Sequence, residues 1–485
     1  MSNIDINIEI QQLITSEQAW HYKVIPKEVN GRSITFYSDK NNVDIVEDEL
    51  ELVMGKDIKF SYADDETIKH ALARYYRSHN GSTVKKVHKL ANQDVDDFLG
   101  RIINDAHQSR SSDIHIEPME QKCRIRIRID GKLIEKYSLN PKEYPSLLNK
   151  IKVKSNLDIA EKRLPQDGRM VHDTATGKFD IRVSTLPSIY GEKIVMRLLS
   201  NDTTEINIES LGFNQNQLNN YLTGTKRNQG IILISGPTGS GKTTTLYATL
   251  KILNTDDSNI LTIEDPVEYT IDGVNQVQLN EGIGLTFARA LRTFLRQDPD
   301  IIMLGEIRDV DTAQMAIRAA LTGHLVLSTV HTNSAWGTIS RLIDMGVPAY
   351  NLADTLVLSV AQRLIRLLCP HCKTIDNEAD EKVPLALSNT IAGIKIYKAI
   401  GCNQCHFTGF KGRRALYEVL PVDKELEKLI KQQASEIDDY LVAKGIATIS
   451  SLVLEAVVHG ETSIDEAIPL LLNDESIMNK AGNDN

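Results

Sequence analysis

Ten residues, Gly236 to Thr245, read GPTGSGKTTT and follow the apolar run Ile231-Ile232-Leu233-Ile234-Ser235. A stretch of strand length feeds a glycine-rich loop, and the loop feeds a helix-like segment from Thr245 to Leu253. That is the setting the pattern G-x-x-x-x-G-K-[ST] requires. Gly236, Gly239 and Gly241 let successive backbone N–H groups converge on phosphate oxygens at the positive end of a helix. Lys242 is placed to reach the β- and γ-phosphates and the Thr243 hydroxyl to ligate Mg²⁺, with Pro237, Thr238, Ser240 and Thr244 completing the loop. A glycine-rich turn carrying a solvated lysine is the competing reading, and it explains neither the strand before nor the helix after. The residues imply a nucleotide-binding protein, with ATP the expected ligand.

Hydrolysis takes more than a phosphate cradle. The segment 300–306 reads DIIMLGE, an apolar strand ending in Glu306. A carboxylate at that end faces the ligand-binding edge of a doubly wound sheet, where it can orient or deprotonate an attacking water. Gly305 stands where such sites usually hold a metal-binding aspartate, so help with Mg²⁺ has to come from elsewhere. Ile263-Glu264-Asp265-Pro266-Val267-Glu268 offers it, with Glu264 and Asp265 at another strand end. Leu325 to Thr332, LVLSTVHT, closes a further strand with His331. There an imidazole can read the γ-phosphate and relay its loss; a structural histidine is the alternative.

Cysteine chemistry is separate. Cys369-x-x-Cys372 and Cys402-x-x-Cys405 form two pairs with residues 373–401 between them, and Cys123 stands alone. In a reducing compartment, two such pairs read as a structural tetrahedral Zn²⁺ site rather than as disulfides. Four thiolates leave no open coordination position, so the metal holds a protrusion together and catalyses nothing; redox dithiols are the alternative. Cys123 reads as a buried free thiol.

The elements that must carry these groups follow from length and pattern. At 485 residues, with 41% hydrophobic and 25% charged residues, the chain is a globular protein of about three domains. No apolar run reaches the ~18 residues of a membrane span, and Met1 to Ile10 lacks a basic-then-apolar leader pattern. A cytoplasmic protein is expected, with peripheral contact to a membrane protein left open. A net charge of −10 and 5% aromatics argue against a nucleic-acid binder.

Residues 1–80 read as a small α/β docking domain. Tyr22 to Val29 and Ser33 to Tyr37 form its hairpin about Asn30-Gly31, followed by a helix over Val43 to Met54 and a strand over Ile58 to Tyr62. Asp64 or Asp65 then caps a helix through Ile68, Ala71 and Tyr75. Residues 81–93 read as linker. Residues 94–205 form a second domain with a helix over Val95 to Ala106 and strands at Ile114–Ile116, Arg124–Ile129 and Lys132–Tyr137. In RIRIRI, Ile125, Ile127 and Ile129 go to the core and Arg124, Arg126 and Arg128 outward. That arginine row is either a solvated face or a contact for phosphate or a neighbouring subunit. From 206 onward, strand-like runs at 231–235, 260–263, 301–304 and 325–330 alternate with helical ones, the pattern of a mostly parallel sheet covered on both faces. A last helix is expected over Gly460 to Leu472.

With these pieces in line, the chain resembles the secretion ATPases that assemble type II secretion pseudopili and type IV pili. GPTGSGKT, TIEDPVEY, DPDIIMLGEIRD and GHLVLSTVHTN are similar to that family's four nucleotide motifs, in its order. SDIHIEP, RIRIDGKL, RLPQDGRM and DIRVSTLPSIYGEKIVMRLL resemble its second domain, and LCPHC with GCNQCHFTGFKGRRALYEVL its zinc-binding module. The resemblance is dense over 94–460 and loose over 1–80. It implies an α/β fold: a RecA-like P-loop ATPase domain over 206–485 that includes a zinc module at about 366–415, a PAS-like α+β second domain and the small N-terminal domain.

It also implies that Glu306 is the catalytic glutamate, that Glu264 assists the metal and that His331 lies in the histidine box. Arg182, Arg197, Arg292, Arg296 and Arg308 match arginines near the phosphates or the subunit interface, with a hinge expected near Asn201 to Asn207. The implied assembly is a homohexamer that acts on cytoplasmic parts of inner-membrane platform proteins, with ATP, Mg²⁺ and Zn²⁺ bound. Gln297 and Trp336 depart from the family pattern, and Trp336 is expected to alter a subunit contact. The rival readings are a pilus-retraction motor, a nucleic-acid translocase with a RecA-like core and a non-hydrolysing scaffold.

Overall fold

The computed structural model describes residues 4–76 (apart from 5, 7, 12, 32, 41–45, 48, 52 and 53), 95–174, 177–199, 207–376 and 394–472. The expected linker, most of the expected hinge and the tail after Asn473 lie outside the described residues. Two compact units result: residues 1–201 with 368–374 and 398–411, and residues 202–367 with 375–397 and 412–485. Both cysteine pairs fall in the first unit by this division.

The first unit contains two separate apolar cores. The N-terminal one gathers Ile25, Ile34, Phe36, Ile58, Ile68 and Leu72. Strands β1 (Ile25–Asn30) and β2 (Ser33–Ser38) pair antiparallel about the Asn30-Gly31 turn, and β3 (Asp57–Tyr62) runs parallel to β2. Of the two candidate caps, Asp64 is the one used: its carboxylate accepts from the Thr67 N–H at 2.7 Å and starts the helix Asp65–Tyr75. Tyr22 ends a helix, Ser16–Tyr22, instead of beginning the hairpin. A Thr15–Gln18 capping box fixes that helix start. The helix expected over Val43 to Met54 falls only partly on described residues, where 46, 47, 49–51 and 54 are helical.

The second core is one face of a six-stranded antiparallel sheet in the order β6-β5-β4-β9-β8-β7. The strands are β4 (Asp113–Pro118), β5 (Cys123–Ile129), β6 (Lys132–Leu139), β7 (Gln166–Thr174), β8 (Gly177–Ser188) and β9 (Gly191–Leu199). Strict alternation in β5 buries Cys123, Ile125, Ile127 and Ile129 and turns the arginines outward. The helix Val95–Gln108 covers the apolar face through Phe98, Leu99, Ile102 and Ile103.

The second unit is built on a seven-stranded sheet. Its strands β10 (Gly230–Ser235), β11 (Ile260–Glu264), β12 (Asn275–Gln278), β13 (Ile301–Leu304), β14 (Leu325–Val330) and β15 (Leu356–Leu368) lie in the order β12-β11-β13-β14-β10-β15, followed by the strand Phe410–Pro421. Every pairing among β10 to β15 is parallel. Both faces are buried: Ile231 and Leu233 of β10 enter one core, Ile232 and Ile234 the other. That is why these strands are continuous apolar runs rather than alternating ones. The last helix starts later than expected, at Ile464, because Ser463 caps it through the Glu466 N–H. No single helix among the described residues is long and apolar enough to cross a membrane.

Candidate active site

Parallel pairing brings the carboxyl ends of β10, β11, β13 and β14 to one edge of the sheet, and the residues read from sequence collect there. Beyond β10, Gly236 takes φ 151° and Gly241 φ 88°. A Cβ on Gly236 would lie 2.4 Å from the Gln362 carbonyl oxygen, so only glycine fits. Pro237, Thr238 and Gly239 form the exposed crest, Ser240 is buried behind it, and Thr243 and Thr244 open the helix Lys242–Leu253 at the rim. Lys242 is 9% exposed and folds back into the loop, donating to the carbonyl oxygens of Gly236 at 2.8 Å and Pro237 at 3.2 Å. Burial lowers its proton affinity, with Arg363 adding to the effect and Glu306 opposing both. An arriving anion favours the charged amine.

Glu306, just past β13, pairs through Oε1 with Arg308. Its Oε2 lies 3.1 Å from His331 Nε2, just past β14. Arg308 also approaches Asp265, 3.7 Å away beyond β11. Four residues predicted from three different strand ends thus form one chain, Asp265–Arg308–Glu306–His331. A backbone lattice sets their heights: Gly305 N–H donates to Ile263 O, Ile307 N–H to Thr329 O, and the Thr329 hydroxyl to Gly305 O.

Glu264 is placed differently. It is 3% exposed, and its carboxylate accepts from the Thr262 hydroxyl at 2.6 Å, from Gln276 Nε2 at 3.1 Å and from the Tyr247 hydroxyl. Among the described residues, no ion pair or hydrogen bond joins it to Glu306, His331 or Lys242. Tyr247 belongs to the helix that begins at Lys242, so this buried network ties the phosphate-loop helix to β11. Trp336 packs half-buried against the core with its indole N–H unpartnered. Arg292 and Arg296 lie at the end of the helix Phe287–Phe294, Arg296 donating to the Arg292 carbonyl at 3.1 Å.

In the six-stranded sheet, Arg182 of β8 stands directly opposite Arg197 of β9. The row continues to Arg169 on one side and to Asp113 and Arg128 on the other. Like charges directly opposite each other repel, and the row offsets this with two carboxylates. Asp113 takes Arg197 at 3.0 Å and Arg128 at 3.3 Å, and Asp180 takes Arg169 at 2.5 Å. Arg124 and Arg126 are committed elsewhere, to Glu117, at 2.7 and 2.8 Å.

The four paired cysteines converge, their Sγ atoms all within 4.8 Å of one another. Three of the separations are 3.8 to 3.9 Å. Four thiolates around tetrahedral zinc, with Zn–S about 2.3 Å, stand roughly 3.8 Å apart, whereas a disulfide holds its sulfurs about 2 Å apart. Backbone N–H groups of Gly401, Cys402 and Gly409 donate to Cys372 and Cys405 sulfurs, which stabilises thiolates. The donor set fits Zn²⁺.

Sequence reading missed Gln362, Arg363, Tyr247 and Gln276. Gln362 Nε2 donates to the Ser240 carbonyl at 2.8 Å while its Oε1 accepts from the Thr245 hydroxyl at 3.0 Å, clamping the phosphate loop from β15. A signal existed: Gln362-Arg363 places two adjacent polar residues inside a mostly apolar strand, and buried polar pairs need partners.

The family model described as "Type II/IV secretion system protein" matches residues 89–469. The type IV pilus assembly ATPase PilB of Myxococcus xanthus is 39% identical, over 96% of this chain and 88% of that protein. The type II secretion system ATPase E of Vibrio cholerae is 44% identical, over 76% of this chain and 74% of its own. Among solved structures, the pilus retraction motor PilT with bound ADP is 26% identical with a TM-score of 0.52, covering 77% of this chain and 96% of that one. The Legionella pneumophila ATPase DotB, 22% identical with a TM-score of 0.59 over 78% of this chain and 96% of its own, shares the fold. On the extent of the family match and of these relatives, the chain belongs to the type II/IV secretion system protein family.

Proposed function

We infer that this chain hydrolyses ATP to drive assembly of a type IV pilus or a type II secretion pseudopilus, as a homohexamer working on an inner-membrane platform protein from the cytoplasmic side. The observation that carries the reading is the edge of the seven-stranded sheet. A phosphate loop opens a helix there, beside a glutamate bonded to an arginine and a histidine from neighbouring strand ends. Relatives over most of the chain are named a type IV pilus assembly ATPase, at 39% identity, and a type II secretion system ATPase, at 44%, against 26% for the retraction motor.

The loop N–H groups and Lys242 receive the β- and γ-phosphates, which replace the carbonyl oxygens of Gly236 and Pro237 as partners of the amine. The Thr243 hydroxyl and nearby carboxylates would hold Mg²⁺, which offsets phosphate charge. Glu306, held between Arg308 and His331, orients the attacking water. Phosphoryl transfer demands little more, because its loose transition state asks chiefly for positioning and charge. As water oxygen bonds to the γ-phosphorus, ADP departs and the water proton passes through Glu306 to the phosphate product. His331 holds Glu306 in place and registers phosphate loss. Glu264 acts from behind, setting β11 against the phosphate-loop helix. We assign Arg182 and Arg197 to the nucleotide phosphates, as charge supplied from outside the loop. Cys369, Cys372, Cys402 and Cys405 would hold one structural Zn²⁺.

Nucleotide titration and phosphate release on the wild type and three variants test this. Lys242→Ala should weaken binding at least about tenfold, whereas Glu306→Gln and Arg182→Ala should keep most of the affinity and lose about 100-fold in turnover. Wild-type turnover by the Glu306→Gln protein overturns the assignment.

A further inference from the structure

Arg363 lies on β15, beneath the phosphate loop, and is 4% exposed. A Cβ on Gly236 would come 3.2 Å from its Nη1, so the guanidinium abuts the first glycine of the loop. Its hydrogen bonds go to neutral oxygens alone. Nη1 donates to the Gln362 carbonyl at 3.0 Å, and Nη2 to the Asn333 carbonyl at 2.8 Å and the Asn333 side-chain oxygen at 3.2 Å. Among the described residues, no carboxylate lies within ion-pair distance of it. Asn333 is two residues beyond His331, which holds Glu306.

A buried arginine stays protonated, and its planar fork can bond two segments at once. The buried Glu418 acts on it only through space and accepts instead from the N–H groups of Ala335 and Ile449, so the guanidinium can still serve an anion, and the nearest place built for one is the loop it touches. Ser240 in that loop has a buried hydroxyl oxygen with no partner, a second polar group left without a protein ligand. Meanwhile the fork grips the segment that carries His331. A shift of the loop around a phosphate is therefore transmitted to the histidine segment through one rigid side chain.

We propose that Arg363 is a positioning residue of the nucleotide site, joining the first turn of the phosphate loop to the segment His331–Asn333, so that filling the loop and seating His331 against Glu306 are one event. This rests on the ATPase reading above and adds a residue to it. Its charge serves affinity and its fork serves turnover, which makes the two separable.

Arg363→Lys in the full-length chain keeps the charge and loses the fork. Nucleotide Kd should stay within about threefold of wild type while kcat falls about tenfold or more, a split that uniform loss of structure does not produce. Hydrogen exchange of the amides at 331–335 should slow on adding a non-hydrolysable ATP analogue to wild type and respond less in the variant. Should Arg363→Lys not fold, Asn333→Ala decides, because that residue is exposed and the change removes one acceptor only. A two- to five-fold loss of kcat at unchanged Kd is then expected. Wild-type kcat in whichever variant folds, or equal losses in kcat and affinity, overturns the proposal. Absence of turnover in wild type would instead sink the ATPase reading itself, so the two failures are distinct.

Discussion

Glu264 shows how a side chain's chemistry depends on who reaches it first. Three donors, from Tyr247, Thr262 and Gln276, converge on a carboxylate that is almost fully buried. Charge-assisted hydrogen bonds of this kind are roughly twice as strong as neutral ones, and removing one leaves an under-satisfied buried anion. Tyr247→Phe deletes the one donor to Oε2 found among the described residues. We expect a stability loss of about 1–3 kcal/mol, read as a lower melting temperature, together with slower turnover at little-changed nucleotide affinity. A melting temperature and kcat equal to wild type would mean that the network positions nothing. Glu306 differs: its partners Arg308 and His331 are both about half-exposed, at the carboxyl edge of the seven-stranded sheet.

On the scale of a single sheet, the six-stranded element of the first unit stores charge on its outer face. Glu117 of β4 is buried beneath Arg126, Arg124 and Lys193. Burial alone would raise its carboxyl, but the three cations outweigh it and hold it down at about 2, against an ordinary value of 4.5. A depressed carboxyl contributes stability that is present in full above the unfolded value and is lost as pH falls through the folded one. Acid should therefore remove on the order of 2–3 kcal/mol from this sheet between pH 4.5 and about 2, after allowing for the partly exposed arginines. Glu117→Gln should flatten that window in a pH titration of stability followed by hydrogen exchange of β4 and β5. An unchanged acid slope would show that the pair is solvent-screened. In the neighbouring Arg182–Arg197 row the carboxylates are shared differently, Asp113 pairing with both Arg197 and Arg128 and Asp180 with Arg169.

For the molecule as a whole, the cysteine cluster matters most. Its two pairs come from the strand end Leu368–Cys372 and from the turn Cys402–Cys405, with residues 373–401 between them, so a metal there closes a long loop. Protein purified without added metal should carry one Zn²⁺ per chain by elemental analysis. Structural zinc in small peptides contributes on the order of 10–16 kcal/mol at neutral pH. Chelation should accordingly raise hydrogen exchange at 369–372 and 401–409 well before the seven-stranded sheet responds. Metal-free protein with those amides fully protected would exclude zinc as the staple.

What the chain specified by itself is what local pattern can encode. The apolar runs of β10, β13 and β14, the glycine spacing of the phosphate loop, the alternation in RIRIRI and the two C-x-x-C pairs each announce their geometry within a dozen residues. Strand ends could be assigned to Glu306 and His331 for the same reason, since a parallel sheet places the ends of its apolar runs on one edge. Only the tertiary structure decided partners. That Arg308 and His331 share Glu306, that Glu264 turns inward to Tyr247, and that Arg363 grips Asn333 under Gly236 all depend on sequence-distant elements meeting. Residues 363 and 236 carry no mark of each other in the sequence, because their contact follows from β15 lying beside β10. Sheet order, set by the burial of both faces at once, is a property of the whole core and of no segment within it.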